Sequence, residues 1–319
     1  MTTSAPILDS HQLAARVKQR AREMGFDLVG IAPADPSRYG DYLRQWLDEG
    51  QAGTMRWLTQ RFEERTNPAA YVTDARSIIC VGMNYHVALD ELPEADRPHR
   101  GKIARYALGS DYHELIKSRL HALADWIREV SPGAVTRACV DTAPVMEKEV
   151  SARAGVGWLG KNTCIIHERI GSWLLLGEIV TTLALPHDDP AIDRCGTCTR
   201  CIDACPTGAI TAPYQLDARK CISYLTIEHR EEIDPDLSHQ IGEWVYGCDI
   251  CQDVCPWNKR APEASDPSLQ PRFRTGTIDL NEVLRWSDED YRRELKGSAM
   301  KRVKLPVLKR NAAVVLKNH

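Results

Sequence analysis

The chain of 319 residues has no apolar run long enough to cross a membrane. Its longest, Trp173 to Leu185, is about 13 residues and is interrupted by Glu178, where a span needs about 20; it reads as a buried strand. The N-terminus, Met1-Thr-Thr-Ser-Ala-Pro-Ile-Leu-Asp9, has neither a charged leader nor an apolar core, which argues against a secretory signal. No Arg-Arg pair precedes a hydrophobic run, which argues against a twin-arginine signal. The expected compartment is the cytoplasm. Neither charge is in excess: 41 basic and 44 acidic residues leave a net charge of −3. That balance gives no global nucleic-acid footprint and leaves room only for a local patch. Internal repeats and low-complexity segments are absent. Nucleotide fingerprints are absent too. There is no Walker A motif, and the single G-x-G-x-x-G-K stretch, Gly155 to Lys161, follows an expected helix rather than a strand. Its glycines are read as letting backbone pass close to a ligand or a neighbouring strand.

What is present is the composition of an ordinary soluble globular protein, 43% hydrophobic and 27% charged, with length for roughly two domains of about 150 residues. Helical periodicity at His11–Met24, Tyr42–Glu49, Tyr112–Val130 and Glu147–Ala154 is mixed with strand-like runs at Phe26–Ala32, Ser77–Met83, Ala134–Val140, Cys164–Ile166 and Trp173–Leu185. Pro93 to Pro98 reads as a polar loop. The mixture predicts an α+β or α/β domain over residues 1–185. Pro186-His-Asp-Asp-Pro190 marks a boundary. Residues 186–265 form a cysteine-rich unit, and residues 266–319 return to a helical pattern.

Eleven cysteines in a reducing compartment point to metal or redox chemistry rather than disulfides. Cys195 to Pro206 spells C-x2-C-x2-C-x3-C-P, the spacing that ligates 4Fe–4S clusters in bacterial ferredoxins. Cys248 to Pro256 spells C-x2-C-x3-C-P, and Cys221, displaced upstream, completes its set. Three thiolates two residues apart converge on one cubane, while the cysteine before proline points the other way and serves the partner cluster. One cluster therefore takes Cys195, Cys198, Cys201 and Cys255, the other Cys205, Cys221, Cys248 and Cys251. Structural zinc also uses C-x2-C pairs, but two complete sets each ending in Cys-Pro favour iron–sulfur. Cys80, Cys139 and Cys164 are left over and are read as buried apolar residues. A ferredoxin needs only about 60 such residues; the 185 before them are expected to form an electron-consuming or cofactor-binding domain.

Asp141 closes the apolar run Ala138-Cys-Val-Asp, at a strand end where such folds place chemistry. Partial burial would fit it to donate a proton near neutral pH; capping a turn is the equal alternative. Asp111-Tyr-His113 opens like the corrinoid-binding D-x-H-x-x-G pattern but lacks the glycine. His113 is therefore read as a solvated or satisfied helix residue and not as a cobalt ligand. After Leu295 the chain is basic, with Lys296, Lys301, Arg302, Lys304, Lys309, Arg310 and Lys317 and no acid, and Arg292 and Arg293 lie just before. Arg292, Lys301, Arg302 and Lys304 are the candidate phosphate contacts.

Taken together these stretches resemble the epoxyqueuosine reductase family along nearly the whole chain. The matching segments are Glu64-Arg65-Thr-Asn-Pro68, Gly101-Lys-Ile-Ala-Arg-Tyr106 with Asp111-Tyr-His113, Val140-Asp-Thr142, Gly155-Val-Gly-Trp-Leu-Gly-Lys-Asn162, Gly171-Ser-Trp173 and Leu176-Gly-Glu178. The cysteine block follows, with Cys221-Ile-Ser-Tyr-Leu-Thr226 and Tyr246-Gly-Cys-Asp249. The resemblance implies an N-terminal cobalamin-binding α/β sandwich similar to that of corrinoid reductive dehalogenases, joined to a ferredoxin-like module with two 4Fe–4S clusters and a short helical C-terminal segment, an α+β protein overall. It implies reduction of the epoxide of epoxyqueuosine, at the wobble position of tRNA, to the alkene of queuosine. Asp141 falls on the family's proton-donor position. Arg65, Ala104, Asp141, Ile165, Leu176, Ser223, Cys248 and Asp249 fall on its cobalamin contacts, several through backbone. The expected partners are the modified tRNA and a low-potential electron donor, with no membrane and a monomeric chain. Longer relatives continue into helical repeats, and Arg310-Asn-Ala-Ala-Val-Val-Leu-Lys317 resembles the first helix of one. A corrinoid reductive dehalogenase and a cluster-only electron carrier are the competing readings.

Overall fold

The structure is a computed structural model that describes residues 9–94 and 99–318. Residues 1–8, read above for leader signals, residues 95–98 of the expected polar loop, and His319 lie outside it.

The first half is built on a four-stranded sheet. Its order is Leu28–Pro33, Ser77–Asn84, Leu174–Thr181, Thr136–Cys139, with every neighbouring pair antiparallel. Ser77–Asn84 is buried at every position, so successive side chains enter two different layers. Ile79, Val81 and Met83 pack with Val17, Ile116, Leu120 and Ile127 of the helices Ser10–Glu23 and Tyr112–Val130. Ile78 and Cys80 pack with Val150 and Ala154, on and just after the helix Glu147–Arg153. Helices cover both faces, the sandwich expected from the mixed pattern. The run Trp173–Leu185 is strand only as far as Thr181. There the Thr181 hydroxyl donates to the Val135 carbonyl (2.9 Å) and accepts from the Leu183 N–H (3.2 Å). Such local side-chain bonds compete with the ladder and end it.

A second sheet is small and composite. Arg100–Ile103 lies between Trp244–Tyr246, to which it is parallel, and Thr277–Asp279, to which it is antiparallel. Each strand comes from a different one of the three units expected from the sequence. Their side chains enter one core, with Ile103, Val245, Leu280, Val283, Leu308 and Ala312 all buried. The C-terminal helix Leu305–Asn318 docks its apolar face here. Its one buried polar residue, Asn311, donates to the carbonyls of Thr226 (2.8 Å) and Val245 (3.0 Å). Among the described residues no helix is long and apolar enough to cross a membrane.

Candidate redox centres and active-site cavity

The cysteine block folds as two short helices, Arg200–Asp203 and Ile250–Asp253, that pack side by side. Each carries one cysteine, Cys201 or Cys251, separated by two residues from the preceding one, Cys198 or Cys248, and each is followed by Cys-Pro. Cys195, Cys198, Cys201 and Cys255 all line one cavity of about 110 Å³. They are the four assigned to one cluster, so the crossover of the last cysteine appears in the fold. An apolar wall of Trp158, Ile166 and Trp257 stands beside Cys255 and Cys195. The G-x-G-x-x-G-K stretch serves this site. A Cβ on Gly157 would stand 2.6 Å from the Ile166 carbonyl oxygen, so the glycine lets two hairpin strands close. Lys161 then donates to the carbonyls of Gly196 (2.6 Å) and Cys198 (3.0 Å). Gly157 and Gly160 thus face the strand Ile165–Ile166, and a Cβ on Gly155 would stand 2.7 Å from the Asp189 carbonyl oxygen.

The second quartet is also brought together. Cys248 feels the charges of Cys221 and Cys205, and Cys251 those of Cys248 and Cys221. Backbone N–H groups face the sulfurs: Tyr224 and Ser223 toward Cys221, Ile250 toward Cys248, Trp257 toward Cys255. Donors aimed at thiolate sulfur are what a bound cluster requires and what sets its potential. Both quartets fit a 4Fe–4S group.

Beside them, at the edge of the central sheet, lies a second cavity of about 150 Å³. Ile165 and Leu174 to Leu176 give it an apolar wall, and Tyr112, Asp141 and Glu147 supply its polar groups. Cys164 and Gln252 line it too. Cys164 touches Cys251, so this wall abuts the second cysteine quartet. Cys164 is thus no inert core residue, unlike Cys80 and Cys139, which are buried.

Asp141 stands at the cavity mouth with its side chain half-exposed. The physical reason is the turn. The Thr142 N–H donates to the Val140 carbonyl, and Asp141 at the centre takes φ +45°. A left-handed non-glycine residue costs on the order of 1–2 kcal/mol and turns its side chain out of the strand. The backbone N–H of Asp141 faces the Glu147 carboxylate. Burial, then the charge of Asp141, pushes Glu147 up to about 7. Behind it, in the sheet, Glu178 is fully buried and held far above the carboxylate range, with one oxygen lacking a partner.

The sequence did not single out His113 as part of this site. Asp111 caps the helix Tyr112–Val130 and accepts from the His113 backbone N–H (3.1 Å) and ring Nδ1 (2.7 Å). The other ring nitrogen, Nε2, lies 3.1 Å from Asp141 Oδ2. His113 is satisfied, as expected, but by the candidate acid itself. Burial opposes charge on the ring, yet the two carboxylates outweigh it and raise His113 to about 9.

The remaining expected contacts divide. Ile165, Leu176 and Asp141 line the cavity. Arg65 is half-buried, stacks 5.8 Å from the Trp57 ring centroid, and leaves Nε without a partner; Glu147 is among the charges it feels. A buried guanidinium N–H without a protein partner, within the electrostatic reach of Glu147, suits a polar cofactor edge. Ala104 is buried, and a Cβ on Gly247 (φ +66°) would stand 2.6 Å from its own Cβ. Asp249 is buried, accepting from the Arg105 N–H (2.8 Å) with the Arg105 guanidinium 3.4 Å away. Ser223 offers its N–H to Cys221, and Cys248 belongs to the second quartet. None of Arg65, Ala104, Ser223, Cys248 and Asp249 lines the cavity directly.

Arg292, Lys301, Arg302 and Lys304 are all exposed. The Gly297 carbonyl accepts the Asp111 N–H (2.8 Å), which sets the basic segment beside the His113 turn. Arg302 feels Asp141 but is held by Glu228 through two 3.0 Å contacts. Arg310 leaves the expected basic surface. Its guanidinium turns inward to the carbonyls of Leu225 (2.7 Å), His229 (2.9 Å) and Glu231.

Comparison with known proteins matches this arrangement. A family described as "Epoxyqueuosine reductase QueG, DUF1730" matches residues 65–142, and a "4Fe-4S double cluster binding domain" matches residues 194–258. The epoxyqueuosine reductase of Xanthomonas campestris pv. campestris is 44% identical over 314 residues, covering 97% of this chain and 88% of its own. A crystal structure of epoxyqueuosine reductase with a tRNA-Tyr epoxyqueuosine-modified stem loop superposes with a TM-score of 0.91 at 30% identity, covering 97% of this chain and 82% of that one. A reductive dehalogenase, with B12-dependent dehalogenation in its description, shares the fold at a TM-score of 0.50 and 16% identity, over 81% of this chain and 33% of that one.

Proposed function

Because the chain belongs to the epoxyqueuosine reductase family, we propose that it reduces epoxyqueuosine at the wobble position of tRNA to queuosine. One observation carries the reading: an apolar cavity with an aspartate at its mouth abuts one of two cysteine quartets, and an exposed basic segment is tied to the turn beside it. Converting an epoxide to an alkene takes two electrons and two protons and releases the oxygen as water. When bound, the 4Fe–4S clusters supply single electrons and the cobalamin supplies the cobalt centre that performs the reductive step.

The chain's own residues do the rest. Cys195, Cys198, Cys201 and Cys255 hold one cluster, and Cys205, Cys221, Cys248 and Cys251 the other. Arg65, Ala104, Asp141, Ile165, Leu176, Ser223, Cys248 and Asp249 form the cobalamin bed, the buried ones through backbone or by shaping it. The apolar wall excludes water from the reacting oxygen. Asp141 gives that oxygen a proton as it departs. Arg292, Lys301, Arg302 and Lys304 contact tRNA phosphates. Electrons enter from a low-potential donor, and the chain works in the cytoplasm as a monomer.

The test is direct. Anaerobically reconstituted protein loaded with cobalamin is given epoxyqueuosine-tRNA and a strong reductant, and the nucleosides are analysed by mass spectrometry. Loss of one oxygen from the modified base to give queuosine is expected. Unchanged nucleoside with both clusters and cobalamin in place would defeat the assignment.

A further inference from the structure

Asp141 can carry one proton, and each turnover consumes two. Whether it delivers one of them or both, it must be reprotonated before it can deliver again, and the geometry supplies a neighbour for the task. His113 Nε2 lies 3.1 Å from Asp141 Oδ2, and Nδ1 lies 2.7 Å from Asp111 Oδ1. The ring is sandwiched between two carboxylates and stacked on Tyr112, with centroids 4.0 Å apart. It does not line the cavity, so it acts only through Asp141. Its side chain keeps about a third of its surface in contact with solvent, which is a route for protons.

We propose that His113 is a positioning residue for the reduction, aiming Asp141 at the cavity and returning a proton to it after each delivery, with Asp111 fixing the ring from behind. This rests on Asp141 being the acid. The transfer is balanced. A proton passes from Nε2 to Asp141 Oδ2, leaving a neutral ring whose Nδ1–H stays bonded to Asp111, and Nε2 then takes a proton from water. Oxidation states do not change in this step, since the electrons come from the low-potential donor through the redox centres.

The electrostatics agree. Burial disfavours the imidazolium, but Asp111 and Asp141 overcome it, and His113 stays charged up to about 9. The other titratable or charged groups facing the pair are Tyr112 on the same turn, Tyr106 just before it, Glu147 on the following helix, Glu178 in the central sheet, and Arg302 on the basic segment. Glu147 favours the charged ring, and Arg302, on the far side of Asp141, is itself engaged by Glu228.

The experiment compares wild type, H113Q, H113A and D141N as cluster- and cobalamin-loaded proteins on an epoxyqueuosine stem-loop. Gln keeps a hydrogen-bond donor near Nε2 but cannot titrate. Single-turnover rates are followed across pH, and stem-loop affinity is measured separately. The C2–H exchange of His113, read by mass spectrometry, gives its titration without any turnover. Wild-type rate should fall as pH rises through about 9. H113Q should be slower by about tenfold or more, with unchanged affinity and without that alkaline limb, and free imidazole should partly restore H113A. The exchange midpoint should lie near 9 in wild type and drop toward 6.5 in D141N. An H113Q protein with wild-type rate and pH profile, or a wild-type midpoint at 6.5, would overturn the proposal. If D141N turns over normally, the acid assignment fails first; if D141N is dead and H113Q unimpaired, only His113 loses its role.

Discussion

Replacing Asn311 with leucine tests whether the C-terminal helix is a structural part of the redox module. Asn311 is fully buried, and its amide donates to Thr226 and Val245. Thr226 lies in the helix Ile222–Ile227, directly after Cys221, and Val245 in the strand Trp244–Tyr246, just before Cys248. One side chain therefore ties together the backbone around two cysteines of the second quartet. Leucine keeps the same branched heavy-atom skeleton, so no cavity opens and the amide's hydrogen bonds are lost; its bulkier methyl groups can only add to that loss by overpacking. Each buried carbonyl left without its donor costs about 1–3 kcal/mol. Arg310, which also touches Asn311 Oδ1, keeps its contacts to Leu225, His229 and Glu231.

The expected loss is thus about 2–4 kcal/mol, toward the lower end because carbonyls with a second partner are only partly orphaned. At roughly 2–4 °C per kcal/mol this lowers the thermal midpoint by about 5–15 °C. The assay is anaerobic thermal unfolding of cluster-loaded protein, with iron counted before and after mild heating. Iron should leave the second quartet first, while Cys195, Cys198, Cys201 and Cys255, which Asn311 does not touch, retain theirs. A midpoint within about 1 °C of wild type, with full iron, would refute the reasoning.

Asp141→Asn should keep both clusters and cobalamin uptake while turnover falls by about 10²- to 10⁴-fold, measured by nucleoside mass spectrometry; turnover near wild type would remove its role as acid. Reversing Lys301, Arg302 and Lys304 to Glu should weaken tRNA binding and flatten its salt dependence by about 0.7 per lost phosphate contact. Arg302→Glu alone should do least, since Glu228 already occupies that guanidinium. Salt-titrated binding checks both. Glu147→Gln should act on stability through pH. The folded group titrates at about 7 against an ordinary 4.5. Its contribution is therefore full below about 4.5 and is lost as pH rises through about 7, to a limit on the order of 3 kcal/mol. Thermal midpoints at pH 5 and pH 8 should thus diverge more for wild type than for the variant, and parallel shifts would show that Glu147 is not the group responsible.

The parts of the site that rest on local spacing could be read from the sequence. Two C-x2-C loops and two Cys-Pro turns need only a dozen residues each to declare their geometry, and the Cys255 crossover follows from chain direction. The strand end at Asp141 was legible for the same reason. Contacts between distant segments were not. Nothing in Asp111-Tyr-His113 announces a carboxylate 28 positions away. Cys164 looks like any apolar cysteine until Cys251 is brought against it. Arg310 reads as surface charge because burial of a guanidinium depends on carbonyls from Leu225 to Glu231. The second sheet escaped notice since strands of three or four residues are too short to show a period of two. The direction of the Asp141 side chain was not legible, because a strained turn, rather than the strand, sets it.

The interleaving of segments has a mechanical consequence. Arg100–Ile103 pairs on one edge with the strand before Cys248 and on the other with Thr277–Asp279. From there three backbone or buried bonds radiate: Ala104 N–H to Tyr246, Asp111 N–H to Gly297, and the Tyr246 hydroxyl to Ala299. They fix the second cysteine quartet, the turn bearing His113, and the basic segment against one another. A flexible linker between a redox module and a substrate domain would leave their separation varying by ångströms, and a misplacement of about 1 Å can cost a hundredfold in rate. In the proposed reaction, electrons and a proton converge on one oxygen atom while the phosphate contacts hold the tRNA in register with them. Threading a strand of the first segment through the sheet of the second holds them together with few additional contacts.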